Sequence, residues 1–561
     1  MNAQRAETIR SLRGQTVDVL VVGGGIVGAG IARDAALRGL RVALVEQHDF
    51  ASGTSSRPTR LIHGGLRYLE QYDFGLVRED LYERELLLKV APHLVFPLPF
   101  LMPHYGASLT YRSKLRAGML LYDLLSFDKS LPGRQWLTRE QVLAAEPTMK
   151  PDGLQGAWRY FDAQVPLIER MVVENVLDAG ANGALILNHA RAARFLRDLD
   201  GRVTGALVRD LVGGQDLAVR ARITVNASGP WLDISNGEIR ARRPKALRLT
   251  KGVHLVTPSG SHNAVVQFAR SDGRLFFVTP WRGYSLVGTT DTDYEGDPAN
   301  AEADASDVRY LQTEARQAFP SAPFDQVFYT WAGVRALARV EGVTEGQVSR
   351  KHKVLDHETE QVPGIVSVVG GKITAYRGIA AEVVDLVSRK LERWSRGYTD
   401  RRPFPGGQVG HPRQYVERKL WPRARGLGLD RTQAEHLGAV YGSLSQEVLD
   451  LVEADRSLGQ RLVPSHPAIR AQVVRAVQHE WAVTFGDVLL RRLTVGLEAD
   501  QGLASLDAFA QQVGEIAGWD AAECEAQATA YRAELAPMRR LSTSVPHATA
   551  GVSRPVLPPS T

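Results

Sequence analysis

Hydrophobic and polar positions alternate between two periods along the first two-thirds of the chain. VLVV at Val19–Val22 is a short, continuous apolar run, as a strand buried on both faces requires. A glycine cluster follows, then small and apolar residues at helical spacing in IVGAGIARDAAL, then a second apolar run, RVALV, closed by Glu46. Further on, GVHLVTP, AVVQFAR, LFFVTPW and YSLVGTTD are short β-rich runs spaced like an antiparallel sheet. GIVSVVGG (Gly364–Gly371) predicts a strand that leads into KITAYRGIAAEVVDLVSRKL, which has helical periodicity. RRPFPGGQVGHP interrupts the pattern with proline and glycine. From about 413 to 540 the spacing is helical, clearest in EHLGAVYGSLSQEVLDLV and IRAQVVRAVQHEWAVTFGDVLLRRLTVGL. The closing STSVPHATAGVSRPVLPPST is rich in Pro, Ser and Thr and is expected to be disordered. Alternating strands and helices followed by a helical block predict an α/β domain with a separate α-helical domain after it.

The first turn carries chemistry. Gly23, Gly25 and Gly28 have the G-x-G-x-x-G spacing, and Glu46 follows Gly28 by 18 residues. Gly23 allows a tight turn, Gly25 lets a pyrophosphate approach the backbone, and Gly28 permits close helix–strand packing. The helix that begins near Ile26 offers free N–H groups and a positive dipole end to phosphates. Glu46 can accept hydrogen bonds from an adenosine ribose. The unit therefore predicts dinucleotide binding.

Composition narrows the classes. A chain of 561 residues can hold two to four domains. Cys524 is its single cysteine, which rules out an intrachain disulfide, a cysteine metal cluster and a dithiol redox pair, and fits a reducing compartment. No metal site is expected. The N-terminal MNAQRAETIRSLRGQT lacks an apolar signal region, and no run of about 18 uncharged apolar residues predicts a membrane span. The net charge of +6 and pI near 9.3 favour anionic partners, from lipid headgroups to phosphorylated metabolites. The basic residues are dispersed and form no zinc-finger or RNA-binding signature, so a nucleic-acid role is not expected.

Three later motifs choose among dinucleotides. SSRPTRLIHGGLRYLE (Ser55–Glu70) lies where an extended cofactor must be followed from diphosphate to ring, which a flavin requires and a nicotinamide does not. Ser55, Ser56 and Thr59 can reach phosphate or ribitol oxygens, and Gly64 and Gly65 can bring backbone against the isoalloxazine. His63, Arg67 and Tyr68 can face a substrate. VNASGPW (Val225–Trp231), with Ala227 and Gly229 in its turn, is a strand entering a glycine turn behind the adenosine half. GGKIT (Gly370–Thr374) places Gly371, Lys372 and Thr374 at a strand-to-helix junction, where a helix N-terminus can stabilise negative charge at a reduced flavin.

GGGIVGAGIARDAALRGL, LIHGGLRYLE, KVAPHLVFPLPF, VNASGPW, KGVHLV, VGTTDTDYEGDP, WAGVRAL and GGKITAYR occur in an order that resembles the FAD-dependent, respiratory, quinone-reducing glycerol-3-phosphate dehydrogenases of aerobic bacteria and mitochondria. The likeness covers about residues 17–400, and HEWAVTFGDVLLRR is similar to that family's C-terminal domain. Departures are Pro58 and Arg60, where Ser and Lys are usual, and Ser228, where Thr is usual; Pro58 also removes a backbone donor.

The resemblance implies an α/β, Rossmann-like, two-dinucleotide-binding-domain flavoprotein with a β-rich substrate cap and a C-terminal α-helical domain. The expected divisions are an extension at 1–16, an oxidoreductase domain at 17–400, a linker at 401–412, helices at 413–540 and a tail at 541–561. Within 17–400, the FAD-binding parts are about 17–100, 150–240 and 360–400, and the cap parts are about 101–149 and 241–359. The implied cofactor is FAD, held at Gly23, Gly25, Ile26, Gly28, Glu46, Ser55, Ser56, Thr59, His63, Gly64, Gly65, Ala227, Gly229, Gly371, Lys372 and Thr374.

The implied reaction is oxidation of sn-glycerol 3-phosphate to dihydroxyacetone phosphate. Arg67, Tyr68, Arg335, Arg350 and Lys372 match the substrate pocket, and an arginine fork suits a phosphate dianion. His63 and His254 are both candidate bases, with Arg335 and Lys372 completing the catalytic set. A membrane quinone is the implied acceptor. Tyr111–Phe127, with Arg112, Lys114 and Arg116, could lie in the interface as an anchor or be buried against the cap. That places the protein in the cytoplasm, peripheral to the inner face of the cytoplasmic membrane. A homodimer is compatible with the family, and the sequence leaves the oligomeric state open. Rival readings are an oxidase that reduces oxygen to hydrogen peroxide, a non-catalytic flavin-binding module, and a flavoenzyme acting on an amine or another hydroxy acid. Family oxidases tend to carry a long insertion for which the motif spacing leaves no room, and the other two have no use for the basic cluster.

Overall fold

The computed structural model describes residues 3–65, 69, 72–106, 109–237, 239, 244–339 and 351–543. Its first sheet has the order Lys353–Asp356, Ile365–Val369, Asp216–Asn226, Val17–Val22, Val42–Val45, Leu185–Leu187. Val17–Val22 is buried at every position and pairs in parallel with Val42–Val45 on one side and Asp216–Asn226 on the other. Strands flanked on both edges and covered on both faces have no polar side to keep, which is why the run is apolar. Helices Ile26–Leu37, Ile168–Ala181 and Tyr376–Lys390 cover one face. An antiparallel ribbon of Ala190–Arg197, Val203–Asp210 and the start of Asp216–Asn226 extends the sheet.

The N-terminal extension is built into this domain. Ala3–Gly14 is a helix with Ile9 and Leu12 buried, and Arg5 pairs with buried Asp210.

The four β-rich runs form Leu247–Pro258, Ala264–Phe268, Leu275–Trp281 and Tyr284–Gly288, all four linked by three antiparallel pairings, with Leu247–Pro258 also paired to Tyr329–Ala338. The same sheet takes in Phe96–Tyr105, Leu154–Gln164 and Leu61–Ile62, from stretches expected to belong with the cofactor. It therefore reaches the HGG motif through Leu61–Ile62.

The C-terminal block is helical, with Arg431–Tyr441, Ser445–Ala454, Arg470–His479, Leu506–Ala517 and Ala521–Arg539 as its main elements. The Pro/Gly stretch before it is packed down: Phe404 N–H donates to Val90 O, and Gly406 N–H to Glu174. The motif HEWAVTFGDVLLRR supplies the main tie back to the first domain. Arg491 and Arg492 both bond Asp49, which is fully enclosed and lies three residues after Glu46. The tail from 544 onward, expected to be disordered, lies outside the described residues.

Candidate functional site

The fingerprint turn is built as its spacing requires. Gly23 has φ +110°, in the region that glycine tolerates, and a Cβ on Gly28 would stand 1.9 Å from Gly23 O. Ile26–Leu37 then starts at the end of the central strand. Ser55 Oγ accepts from Ile26 N–H at 2.9 Å, tying the next motif to the helix N-terminus. Glu46 accepts from Gly24 N–H at 2.6 Å and from His48 N–H at 2.9 Å. Burial raises its pKa against the pull of those two donors. The carboxylate thus braces the turn, while its remaining lone pairs stay available for a ribose.

From this turn a cavity of about 1030 Å³ runs between the two sheets. That is at the upper end of small-molecule sites, which span roughly 300–1,000 Å³. Gly25, Ile26, Ser55, Ala227 and Gly229 line one part; Thr59, His63, Gly65, Gly371, Lys372 and Thr374 line another. The two distant glycine motifs meet directly, since His63 N–H donates to Thr374 Oγ1 at 3.2 Å. His63 Nδ1 in turn accepts from Gly65 N–H at 3.2 Å. Lys372 Nζ pairs with Asp80 behind the wall.

Two antiparallel strands supply the remaining wall. Gly252 opposes Gly333, and Thr250 opposes Arg335, so a period of two places Gly252, His254, Gly333 and Arg335 on the cavity face. Arg335 donates to Asp291 at 3.0 Å and to Thr289 Oγ1 at 2.9 Å. Its guanidinium lies over Gly252, where a Cβ would be 2.2 Å from Nη2. His254 Nε2 shares a hydrogen bond with Thr59 Oγ1 at 2.8 Å, and its ring sits 5.9 Å from that of Trp331. Burial, with the nearby charges of Arg335 and Arg60, lowers the His254 pKa to about 3, so the imidazole is neutral. Arg60 is itself enclosed, forked onto Glu169 and stacked between Trp281 and Trp331.

Several expected site residues face elsewhere. Ser56 Oγ donates to Gly53 O and closes its own short turn instead of lining the cavity. Gly64 lies behind the wall: its N–H donates to Tyr122 OH, and a Cβ would be 2.5 Å from Leu81. Its smallness serves helix packing, and Gly65 is the one that reaches the cavity. Gly23, Gly28 and Glu46 act through the backbone of the turn. Arg67, Tyr68 and Arg350 lie outside the described residues. Gly252, Asp291 and Asp80 went unread in the sequence. The glycine inside the β-rich run KGVHLV was a usable signal of close approach.

The groove fits an extended dinucleotide. It opens at a helix N-terminus whose glycines leave no room for side chains, and it ends at a pair of glycine motifs flanked by a lysine. Ser55, Thr59, Gly65 and Thr374 would hold such a cofactor along its length.

Comparison with known proteins agrees with this layout. The model of the FAD dependent oxidoreductase family matches residues 18–386, and that of the C-terminal domain of alpha-glycerophosphate oxidase matches residues 398–524. The glycerol-3-phosphate dehydrogenase of Synechocystis sp. is 38% identical over 530 residues, covering 92% of this chain and 95% of that one. The aerobic glycerol-3-phosphate dehydrogenase of Staphylococcus epidermidis is 35% identical over 501 residues, covering 86% and 87%. The X-ray structure of the glycerol-3-phosphate dehydrogenase from Bacillus halodurans, complexed with FAD, superposes with a TM-score of 0.79 at 28% identity, over 97% of this chain and 99% of that one. The L-alpha-glycerophosphate oxidase from Mycoplasma pneumoniae shares the fold alone, with a TM-score of 0.52 at 19% identity, over 68% of this chain and 97% of that one.

Proposed function

The chain belongs to the FAD-dependent glycerol-3-phosphate dehydrogenase family, and from that premise we propose that it oxidises sn-glycerol 3-phosphate to dihydroxyacetone phosphate and passes the electrons to a membrane quinone. The observation that carries this reading is the convergence of Arg335, Lys372, His63 and His254 on one cavity that begins at the dinucleotide turn. When bound, FAD supplies the two-electron acceptor for the hydride from C2.

The chain's own residues do the rest. Arg335, fixed by Asp291 and Thr289, presents a charged fork suited to the substrate's phosphate. Arg67, Tyr68 and Arg350 belong to the same pocket by resemblance. His254 is held neutral, its bond to Thr59 sets the ring's orientation, and a pKa of about 3 makes it a weak base at neutral pH. His63 is the other candidate base, positioned by Gly65 and Thr374. We take residues 17–400 as the catalytic unit and 413–540 as a helical unit that braces it through Asp49.

The quinone reading draws on the helix Leu109–Leu125. Met119 and Tyr122 are buried in the cap core, whereas Leu120 and Leu124, one turn apart, and Phe127, in the turn after the helix, are 56%, 68% and 77% exposed. One face of the helix is thus buried against the cap and another is turned outward, which supports an interfacial position for the outward face. Leu115, Gly118 and Leu121 line the cavity, as does Tyr72, 79% exposed, so the exposed apolar residues lie on an element that walls the site. Exposed apolar patches beside a site mark membrane or partner contact. No helix among the described residues is long and apolar enough to cross a membrane. An interfacial position, peripheral on the inner face of the cytoplasmic membrane, suits these features.

Anaerobic mixing of FAD-loaded protein with glycerol 3-phosphate tests the proposal. The flavin absorbance should bleach, and a short-chain quinone should restore it much faster than oxygen does. No bleaching would refute the substrate, and faster recovery with oxygen, with peroxide released, would make the protein an oxidase.

A further inference from the structure

A carboxylate that the proposed chemistry does not use lies behind Lys372. Asp80, on the helix Phe74–Val90, has 0% relative exposure. Its Oδ2 accepts from Lys372 Nζ at 2.5 Å, while Oδ1 is buried and has no hydrogen-bond partner among the described residues. A carboxylate anion with one bare oxygen is costly to enclose, whereas the neutral acid tolerates it far better. Of the surrounding charges, Glu79 and Asp162 act in the same direction and Lys372 acts against it. The helix of Asp80 contributes Glu79 and Arg84, and Arg84 is engaged by Asp162 and Glu85. Strand Leu154–Gln164 contributes Asp162, which also takes the hydroxyl of Tyr122 from helix Leu109–Leu125. The helix after the GGKIT motif contributes Arg377, which forks onto Glu83. Lys372 is thus the cation that Asp80 touches. Burial raises the Asp80 pKa to about 7 in spite of it.

We propose that Asp80 is a proton-holding partner of Lys372, taking one proton from solvent when an anion binds against Lys372 in the cavity and returning it when the anion leaves. This rests on the reading that the cavity binds FAD and a phosphorylated substrate. Ionised, Asp80 satisfies Lys372 and repels a second anion on its far side. Protonated, it no longer offsets the ammonium, and an anion in the cavity feels more of that charge. Anion binding and protonation therefore favour each other to the same degree. The step is charge-balanced: a carboxylate and a proton become a carboxylic acid, and no electrons move. The anion is either the substrate's phosphate or the charge gained by the flavin on reduction. Asp80 is a positioning residue, since it does not line the cavity.

Asp80→Asn keeps the shape and an acceptor for Lys372 but cannot take the proton. With FAD-loaded protein, one arm follows KM for glycerol 3-phosphate from pH 7.5 to 9, where the phosphate (second pKa about 6) is already dianionic. Wild type should lose affinity by up to about tenfold per pH unit, and the variant should be flat. The other arm follows the flavin midpoint potential against pH without substrate. One extra proton per two electrons steepens the wild-type slope by about 30 mV per unit, and the variant loses this. A difference in the first arm alone assigns the anion to the substrate, and in the second alone to the flavin. Equal slopes for wild type and variant in both arms overturn the proposal. If Asp80→Asn fails to fold or to load FAD, Asp80→Ala replaces it, and wild-type slopes that lack the extra proton in both arms refute the idea without any variant. If glycerol 3-phosphate fails to reduce the flavin, the proposed function falls, while the potential arm still judges Asp80.

Discussion

Replacing Gly252 with alanine should disable Arg335 without touching it. The added Cβ would stand 2.2 Å from Arg335 Nη2 and 2.6 Å from Cζ, too close for the guanidinium to stay. The obstacle is the tip of a flexible side chain, so the protein can relieve it by swinging the arginine away. Backbone pairing with Gly333 is unaffected. Folding should therefore change little, since Gly to Ala inside a strand is worth about 0.5–1 kcal/mol in the favourable direction. The loss falls on the substrate. A hydrogen bond to a charged group contributes about 1.5–3 kcal/mol. At about 1.36 kcal/mol per tenfold, losing one such contact to the phosphate lowers kcat/KM by about 10- to 150-fold. The assay is steady-state dye reduction with glycerol 3-phosphate, beside thermal melting and FAD affinity by flavin fluorescence. Unchanged melting and FAD affinity with a raised KM is the expected pattern. Adding Arg335→Gln to Gly252→Ala should cost little more, because both remove one interaction. A Gly252→Ala protein with wild-type KM and normal melting would refute the placement of substrate phosphate at Arg335.

Other consequences are open to test. If His254 is the base, the acid limb of flavin reduction should lie near pH 3 to 4 instead of 6.5, because the folded ring resists protonation; His254→Gln should then slow reduction with substrate binding retained, whereas an inflection near 6.5 that vanishes in His63→Asn assigns the role to His63. The same depressed pKa makes stability fall as pH drops below about 6.5, since the unfolded imidazole binds a proton that the folded one refuses until about 3; His254→Gln should flatten that part of a melting-temperature profile. Asp49→Asn takes from enclosed Arg492 its close carboxylate, while Arg491 keeps Asp487 and Glu534, and breaking a buried pair costs about 3–5 kcal/mol; weaker FAD retention and faster proteolysis between the two units should follow, and unchanged melting would deny the bracing role. Replacing Leu120, Leu124 and Phe127 together by serine should release the protein from anionic vesicles at constant flavin content, as measured by flotation, and undiminished binding would move the membrane contact elsewhere.

The pattern of residues carried the cofactor half of this protein almost whole. VDVLVV, the three spaced glycines and RVALVE are neighbours in sequence, and steric demands between neighbours are written locally: Gly28 must be small because Gly23 lies five residues away. The β-rich runs were likewise readable, because a period of two is a property of each strand alone. The HGG and GGKIT motifs announced a flavin through their composition and order. Which of the two glycines faces the cavity was not legible: the close approach of Leu81 and Tyr122 puts Gly64 behind the wall.

What only the tertiary structure decided are the pairings across long separations. Lys372 meets Asp80 from 292 residues away, Thr59 meets His254 from 195, and Arg492 meets Asp49 from 443. Each of those residues is an ordinary surface type in its own segment. Its pKa, orientation and role come from the charge and burial that packing brings to it, and no local period records which element will arrive on the other side.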